Sequence, residues 1–254
     1  MYVACSTLCF GRYSLERALR LMAEMEFSKV EVAIRTSGPH LTPAQVAADL
    51  ELATQSIRIG PGLTPAAFNV QIDAPEKEVF EQQFEGVCKL ARHTAVATVT
   101  LPAAPVGTPL EVEARRLAHL VRVAYSYGVV LCVPTRIGTV TETPDQAIAL
   151  CEAVEGLGLT LDPSHFICGP HQGKPFDEIC PYVHHVHLRD TGRTPDKLQV
   201  KVGQGEVEYG KIITQLTRCR YDRLLTVDII DIPELPFHME TEVRKLKYLL
   251  ESLI

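Results

Sequence analysis

The chain has 254 residues, 46% of them hydrophobic, enough for one sizeable core and suited to an α/β barrel or two small domains. A formal net charge of -6, with basic residues dispersed, argues against an extended nucleic-acid backbone as ligand. No window approaches the roughly 20 apolar residues needed to span a bilayer, and no linker divides the sequence, so one domain over residues 1–254 is expected.

Short runs rich in Val, Ile, Leu and Thr recur along the chain. They fall at Tyr2–Cys5, Lys29–Ile34, Ser56–Gly60, Ala97–Leu101, Val129–Val133, Leu159–Asp162, Val183–Leu188 and Leu224–Ile229, and read as eight strands. Segments with helical spacing separate them: SLERALRLMAEM, TPAQVAADLELATQ, EKEVFEQQFEGVCKLARH, LEVEARRLAHLVRVAYSYG, TPDQAIALCEAVEG and EYGKIITQLTRC, with METEVRKLKYLLESL last. Ser14 with Glu16, Thr42 before Pro43, and Thr143 before Pro144 supply helix start signals. Parallel strands need crossover helices and a closed ring leaves no edge, so eight alternations predict a (β/α)8 barrel. An open doubly wound sheet is the competitor, but CSTLCFGRYS carries only Gly11 where a Gly-rich turn is expected.

Eight cysteines are scattered without a CxxC pair, mostly inside apolar runs, which suits reduced thiols and a cytoplasmic location. MYVACSTLCF lacks a basic leader and reads as a first strand. GQGEVEYG lacks the spacing of a dinucleotide fingerprint, so no nucleotide cofactor is expected.

The barrel reading gives weight to polar residues at strand ends, because the pocket of such a fold lies there. Glu31 in KVEVAI, Asp162 in LTLDPSHF, His187 in VHHVHLRD and Asp228 in LLTVDII occupy such positions, and side-chain alternation lets all four face inward. Carboxylate and imidazole donors suit a divalent cation such as Mn2+, Mg2+ or Zn2+, which makes Asp162, His187 and Asp228 candidate metal ligands. The fifth run, VVLCVPTR, ends at Pro134, which offers no donor. His185 shares the face of His187 but lies deeper, and His184 faces the helices. Residues Thr191 to Gly205 lack periodicity and form a candidate lid over the pocket.

STLCF with SLERAL, KVEVAI, GLTLDPSHF, VHHVHLRDT and GQGEVEYGKIITQL before LLTVDII resemble the xylose-isomerase-like TIM barrels, which include sugar isomerases and epimerases and the family 2 AP endonucleases. The resemblance covers nearly the whole chain. It implies a divalent metal held by a Glu, an Asp, a His and a Glu from strands 5 to 8. Asp162 and His187 match directly, Asp228 stands for the last Glu one methylene shorter, and Pro134 replaces the first. The next acid, Glu142, lies eight residues on.

In the family's two-base epimerases the outer carboxylates remove and return a proton on opposite faces of the sugar while metal stabilises the enediolate. Loss of one removes a ligand, a charge and a base, so bound metal is expected to be weak or absent. The resemblance also makes His165 and Asp228 catalytic candidates and Glu31 and His165 substrate-binding ones; Arg189, two residues past His187, and Arg136, two past Pro134, join the substrate-binding candidates by position. Each has a plainer alternative: an ordinary barrel histidine for His187, a DPSH turn in which Asp162 and Ser164 bond backbone, an ion pair for Glu31, and a surface pair for Arg189 with Asp190. Arg136 supplies positive charge near the missing acid. The leading expectation is an isomerase or epimerase acting on a small polyhydroxylated carbonyl compound. The second is a weakened relative that binds a sugar-like ligand or a protein partner. An AP endonuclease is disfavoured by the sparse ligands and acidic charge. A homo-oligomer is compatible with the sequence.

Overall fold

Parallel strands leave unpaired edges unless the sheet closes, and the computed structural model, which describes residues 1–58, 62–233 and 236–254, closes it completely. The strands are β1 (Tyr2–Ser6), β2 (Lys29–Arg35), β3 (Thr64–Gln71), β4 (Thr98–Thr100), β5 (Val130–Pro134), β6 (Gly158–Leu161), β7 (Val183–Leu188) and β8 (Leu224–Val227). All pairs are parallel, and β1 closes the ring on β8 with Cys5 opposite Val227. The helices α1 (Leu15–Glu24), α2 (Pro43–Ala48), α3 (Leu50–Ile57), α4 (Lys77–His93), α5 (Leu110–Ser126), α6 (Pro144–Ala153), α7 (Pro163–Cys168), α8 (Tyr209–Arg218) and α9 (Met239–Glu251) surround it. Their buried faces, such as Leu117, Leu120 and Ala124 of α5, pack on outward strand residues including Val99 and Leu131.

The third strand lies later than expected. Ser56 and Ile57 end α3, Ile57 being buried on its apolar face, while residues 59–61 of the expected run lie outside the described residues. The true strand, TPAAFNVQ, has Pro, Asn and two Ala, residues poor in intrinsic strand preference. Pairing on both sides forms it anyway: it meets β2 along its length and β4 from Ala67 to Asn69. The helical stretch after β2 is also two helices. Asp49 adopts φ -145° and its carboxylate accepts from the Leu52 N–H at 2.9 Å, starting α3 afresh. Gly86 of α4 allows close packing there, because a Cβ would lie 3.0 Å from the Ala47 backbone.

The segment after β7 is fixed by one side chain. Asp190 is buried, and its carboxylate accepts from the N–H groups of Thr191 (3.0 Å), Gly203 (2.7 Å), Gly205 (3.0 Å) and Val207 (3.4 Å). Gln199 adds a two-way bond to the Ile230 backbone, at 2.6 Å and 3.1 Å, and Leu198 reaches the strand-end pocket. The expected lid is therefore a tethered wall, and Asp190 belongs to it rather than to a surface pair with Arg189. Among the described residues no helix is long and apolar enough to cross a membrane.

Two outcomes follow from this packing. Asp190→Ala leaves several backbone donors without their acceptor and should lower stability by about 3 kcal/mol in urea unfolding, with new proteolytic cleavage confined to residues 191–207. All eight cysteines are free thiols and only Cys219 is exposed. A thiol reagent should therefore modify one group quickly in the folded protein and all eight after unfolding; fewer than eight would reveal a disulfide.

Candidate active site

Asp162 follows the last residue of β6. Thr135 brackets its backbone: the Asp162 N–H donates to the Thr135 hydroxyl at 2.8 Å, and that hydroxyl donates to the Asp162 carbonyl at 3.2 Å. Pro163 then starts α7, and Asp162 Oδ1 accepts from the Ser164 N–H at 3.1 Å and from its hydroxyl at 2.5 Å. The plainer reading of DPSH, a backbone-bonding turn, thus describes half of this carboxylate. The other oxygen, Oδ2, receives the guanidinium of Arg189, whose Nε also donates to Ser164 Oγ at 3.1 Å. Burial works against the Asp162 charge, but Arg189 and His165 outweigh it and hold the carboxyl down at about 2.

Asp228 enters from two strands round the barrel, one residue past β8, where its N–H donates to the Leu188 carbonyl at 2.9 Å. Its Oδ2 lies 3.6 Å from His187 Nδ1 and 4.0 Å from Arg189, while Oδ1 is buried with no hydrogen-bond partner among the described residues. His187 points its other nitrogen down the barrel, where Nε2 lies 2.9 Å and 3.0 Å from the two oxygens of Glu31. His185 meets the same carboxylate from one step deeper. Burial alone would pull the His187 imidazole down, yet Glu31 and Asp228 push it up to about 9; the two histidines in turn hold Glu31 well below the usual carboxylate range.

Glu31 is therefore not the pocket-lining acid expected from its motif. It is the third of seven residues in β2, fully buried beneath the mouth, and its partners are histidines rather than a lysine or arginine. The same alternation leads two and four residues on to Ala33 and Arg35. Arg35, at the end of β2, does line the mouth and donates to Asn69 of β3 at 2.9 Å. The sequence reading passed over both Arg35 and Asn69, although the inward parity of Glu31 pointed to Arg35.

His165 sits on α7 with Nε2 3.6 Å from Asp162 Oδ2. The Ile137 N–H donates to its Nδ1 at 3.3 Å, so the ring proton of the neutral form resides on Nε2. Burial is the main cause that keeps this histidine neutral, down to about 4. Pro134 and the exposed Arg136 complete the rim; Glu142 instead accepts from the Gly138 N–H at 2.9 Å and closes a turn away from it. His184 stays outside the barrel against Arg223.

The mouth encloses about 100 Å³. A larger groove of about 670 Å³ runs past Phe176, Arg193 and Lys211 but contains none of the strand-end residues. The small mouth is the better candidate, because the buried acids, histidines and arginines converge on it.

Asp162, His187 and Asp228 each bring a donor atom within 4.8 Å of the others. This set fits a divalent cation as three ligands, and because Asp228 Oδ2 is the oxygen that faces His187 Nδ1, its Oδ1 is left over. Pro134 contributes none, and Arg189 already occupies one carboxylate. A second set, Glu31 with His185 and His187, meets the same distance limit but is accounted for by the hydrogen bonds among its members.

Residues 19–249 match the model of the xylose isomerase-like TIM barrel family, and the chain belongs to that family. No curated protein matches the sequence. Solved structures share the fold at low identity. A xylose isomerase-like TIM barrel protein from Mycobacterium smegmatis in complex with magnesium is 16% identical with a TM-score of 0.76, covering 100% of this chain and 98% of that one. An L-ribulose 3-epimerase is 17% identical with a TM-score of 0.75, covering 99% and 95%. The probable 3-DHS dehydratase AsbF from Bacillus anthracis is 13% identical with a TM-score of 0.76, covering 99% of each chain.

Removing Glu31 leaves the buried His187 without its counter-charge and takes a hydrogen-bond partner from His185. Glu31→Ala should cost about 3–5 kcal/mol in denaturant unfolding. Because the folded imidazole of His187 lies above its ordinary 6.5, its stabilising effect is full below that pH and fades as pH rises through about 9. The loss of stability over that interval, measured with chelator present, should shrink in Glu31→Gln. An unchanged profile would remove Glu31 from this role.

Proposed function

We propose that the protein enolises a small polyhydroxylated carbonyl compound at the strand-end mouth, with Asp228 as the base. The observation that carries this reading is the buried Oδ1 of Asp228, without a hydrogen-bond partner among the described residues, on a carboxylate whose Oδ2 lies 4.0 Å from the Arg189 guanidinium, in a mouth that the neutral His165 imidazole also lines. Asp228 takes the proton from the carbon next to the carbonyl. The Arg189 guanidinium and the Nε2–H of His165 stabilise the negative charge that develops on oxygen. A divalent cation held by Asp162, His187 and Asp228 supplies further polarisation of the carbonyl when bound.

Pro134 narrows the outcome. Inversion at carbon needs a second base on the opposite face, and strand 5 offers no carboxylate there. One carboxylate can still return the proton on its own face to the neighbouring carbon, so this arrangement favours isomerisation over epimerisation. The Asp162 carboxylate, fully engaged by Ser164 and Arg189, supports a second reading in which the pocket binds such a ligand without turnover.

Two measurements test this. Incubation of a small ketose in D2O, followed by NMR, should show deuterium entering the position next to the carbonyl, and Asp228→Asn should slow it by roughly 10²-fold or more. Saturable binding without exchange would favour the second reading. Calorimetric titration with Mn2+ should give weak binding to the natural protein and tighter binding to both Pro134→Glu, which adds a carboxylate, and Arg189→Met, which frees one. Asp162→Ala should weaken it; tight binding by the natural protein would mean the three donors suffice.

A further inference from the structure

The mouth holds more positive charge than its acids balance. Arg35, Arg136 and Arg189 all line it, against the two carboxylates Asp162 and Asp228. Arg189 alone approaches both acids, lying against Asp162 and 4.0 Å from Asp228. Among the described residues neither Arg35 nor Arg136 has a carboxylate within ion-pair distance, and the one side-chain bond of Arg35 goes to the neutral amide of Asn69. Below them the His187 imidazole and Glu31 balance each other.

Two guanidinium atoms make the need specific. Arg189 is 5% exposed, yet among the described residues its buried NH1 has no partner; Arg35 Nε is likewise buried and unpartnered there. A buried donor left without an acceptor is costly, and a guanidinium fork is shaped for a planar pair of oxygens. The cavity is small, about 100 Å³, which limits the size of the group held at its base.

We infer that the ligand of this pocket carries a carboxylate, gripped by Arg35, Arg136 and the free edge of Arg189, so that the substrate class is a small hydroxy-carbonyl acid rather than a neutral sugar. This inference rests on the proposed function, since it names the ligand of the same site. A carboxylate is preferred to a phosphate on shape: its planar pair of oxygens matches a guanidinium fork, and the small cavity limits the size of the group held at its base. Arg189 then serves both sides, holding Asp162 with one nitrogen and the ligand with another.

Three three-carbon compounds separate the possibilities: hydroxypyruvate (carboxylate), dihydroxyacetone (neutral) and dihydroxyacetone phosphate. Their binding to the natural protein is measured by calorimetry or ligand-observed NMR. Hydroxypyruvate should bind at least roughly tenfold tighter than the other two, and Arg136→Gln and Arg35→Gln should each remove most of that preference. Arg136 is exposed and makes no side-chain hydrogen bond among the described residues, so its variant should fold normally, as circular dichroism can verify. Equal binding of the neutral and acidic compounds, unchanged in both variants, would overturn the carboxylate assignment and leave the proposed function standing. Tightest binding of the phosphate would overturn it in favour of a phosphorylated ligand. No binding by any of the three up to tens of millimolar would overturn this inference and the proposed reading of the pocket together.

Discussion

Two carboxylates meet at the mouth of this barrel, and the Arg189 guanidinium between them is the interaction on which the rest of the site depends. Asp162 and Asp228 are 2% and 3% exposed, so water can do little to screen them. The cation that makes their proximity tolerable is part of the chain. Arg189 also ties Ser164, and hence the start of α7, to the end of β7. The same contact explains why three potential ligands need not amount to a strong metal centre. A cation arriving from solution must compete with a guanidinium that is already desolvated and bonded.

Beneath the mouth, a second polar layer orients the first. Glu31 fixes which nitrogen of His187 faces upward by receiving the other, as carboxylates do behind many functional histidines. Thr226 lies 3.3 Å from the same His185 nitrogen that meets Glu31, and Thr160 donates to Thr100 at 2.9 Å across the barrel. The interior is thus graded, apolar where strands meet helices and polar along the axis. A stiff polar floor suits chemistry in which a base and an oxyanion must be held at fixed separation.

The wall formed by residues 191–207 carries this order outward. Asp190 organises it from within, as Arg189 organises the mouth, and the two neighbours face different tasks because the chain turns between them at the end of β7. Gln199 and Leu198 bring the wall against Ile230 and over the cavity. Such a tethered segment forms part of the mouth's wall rather than a free lid.

The sequence by itself determined the barrel, because eight apolar runs separated by helical periods leave few other ways to pair parallel strands. It also determined that Asp162, His187 and Asp228 would share one end, since strand-end position and alternation follow from local pattern. The third strand escaped detection because TPAAFNVQ becomes a strand only by pairing on both sides, a tertiary effect that outweighs local preference. The depth of Glu31 escaped for a related reason: parity along β2 says which face a residue takes, whereas the stagger of closed strands decides its height. Local pattern left Arg189 open between a ligand clamp and a surface pair with Asp190, and burial sends the first into the mouth and the second into the wall. That partnership, like the unpaired edge of Arg189 and the approach of Arg35, was settled only when residues distant in the chain were brought together, since desolvation and hydrogen bonding depend on neighbours that sequence order does not reveal.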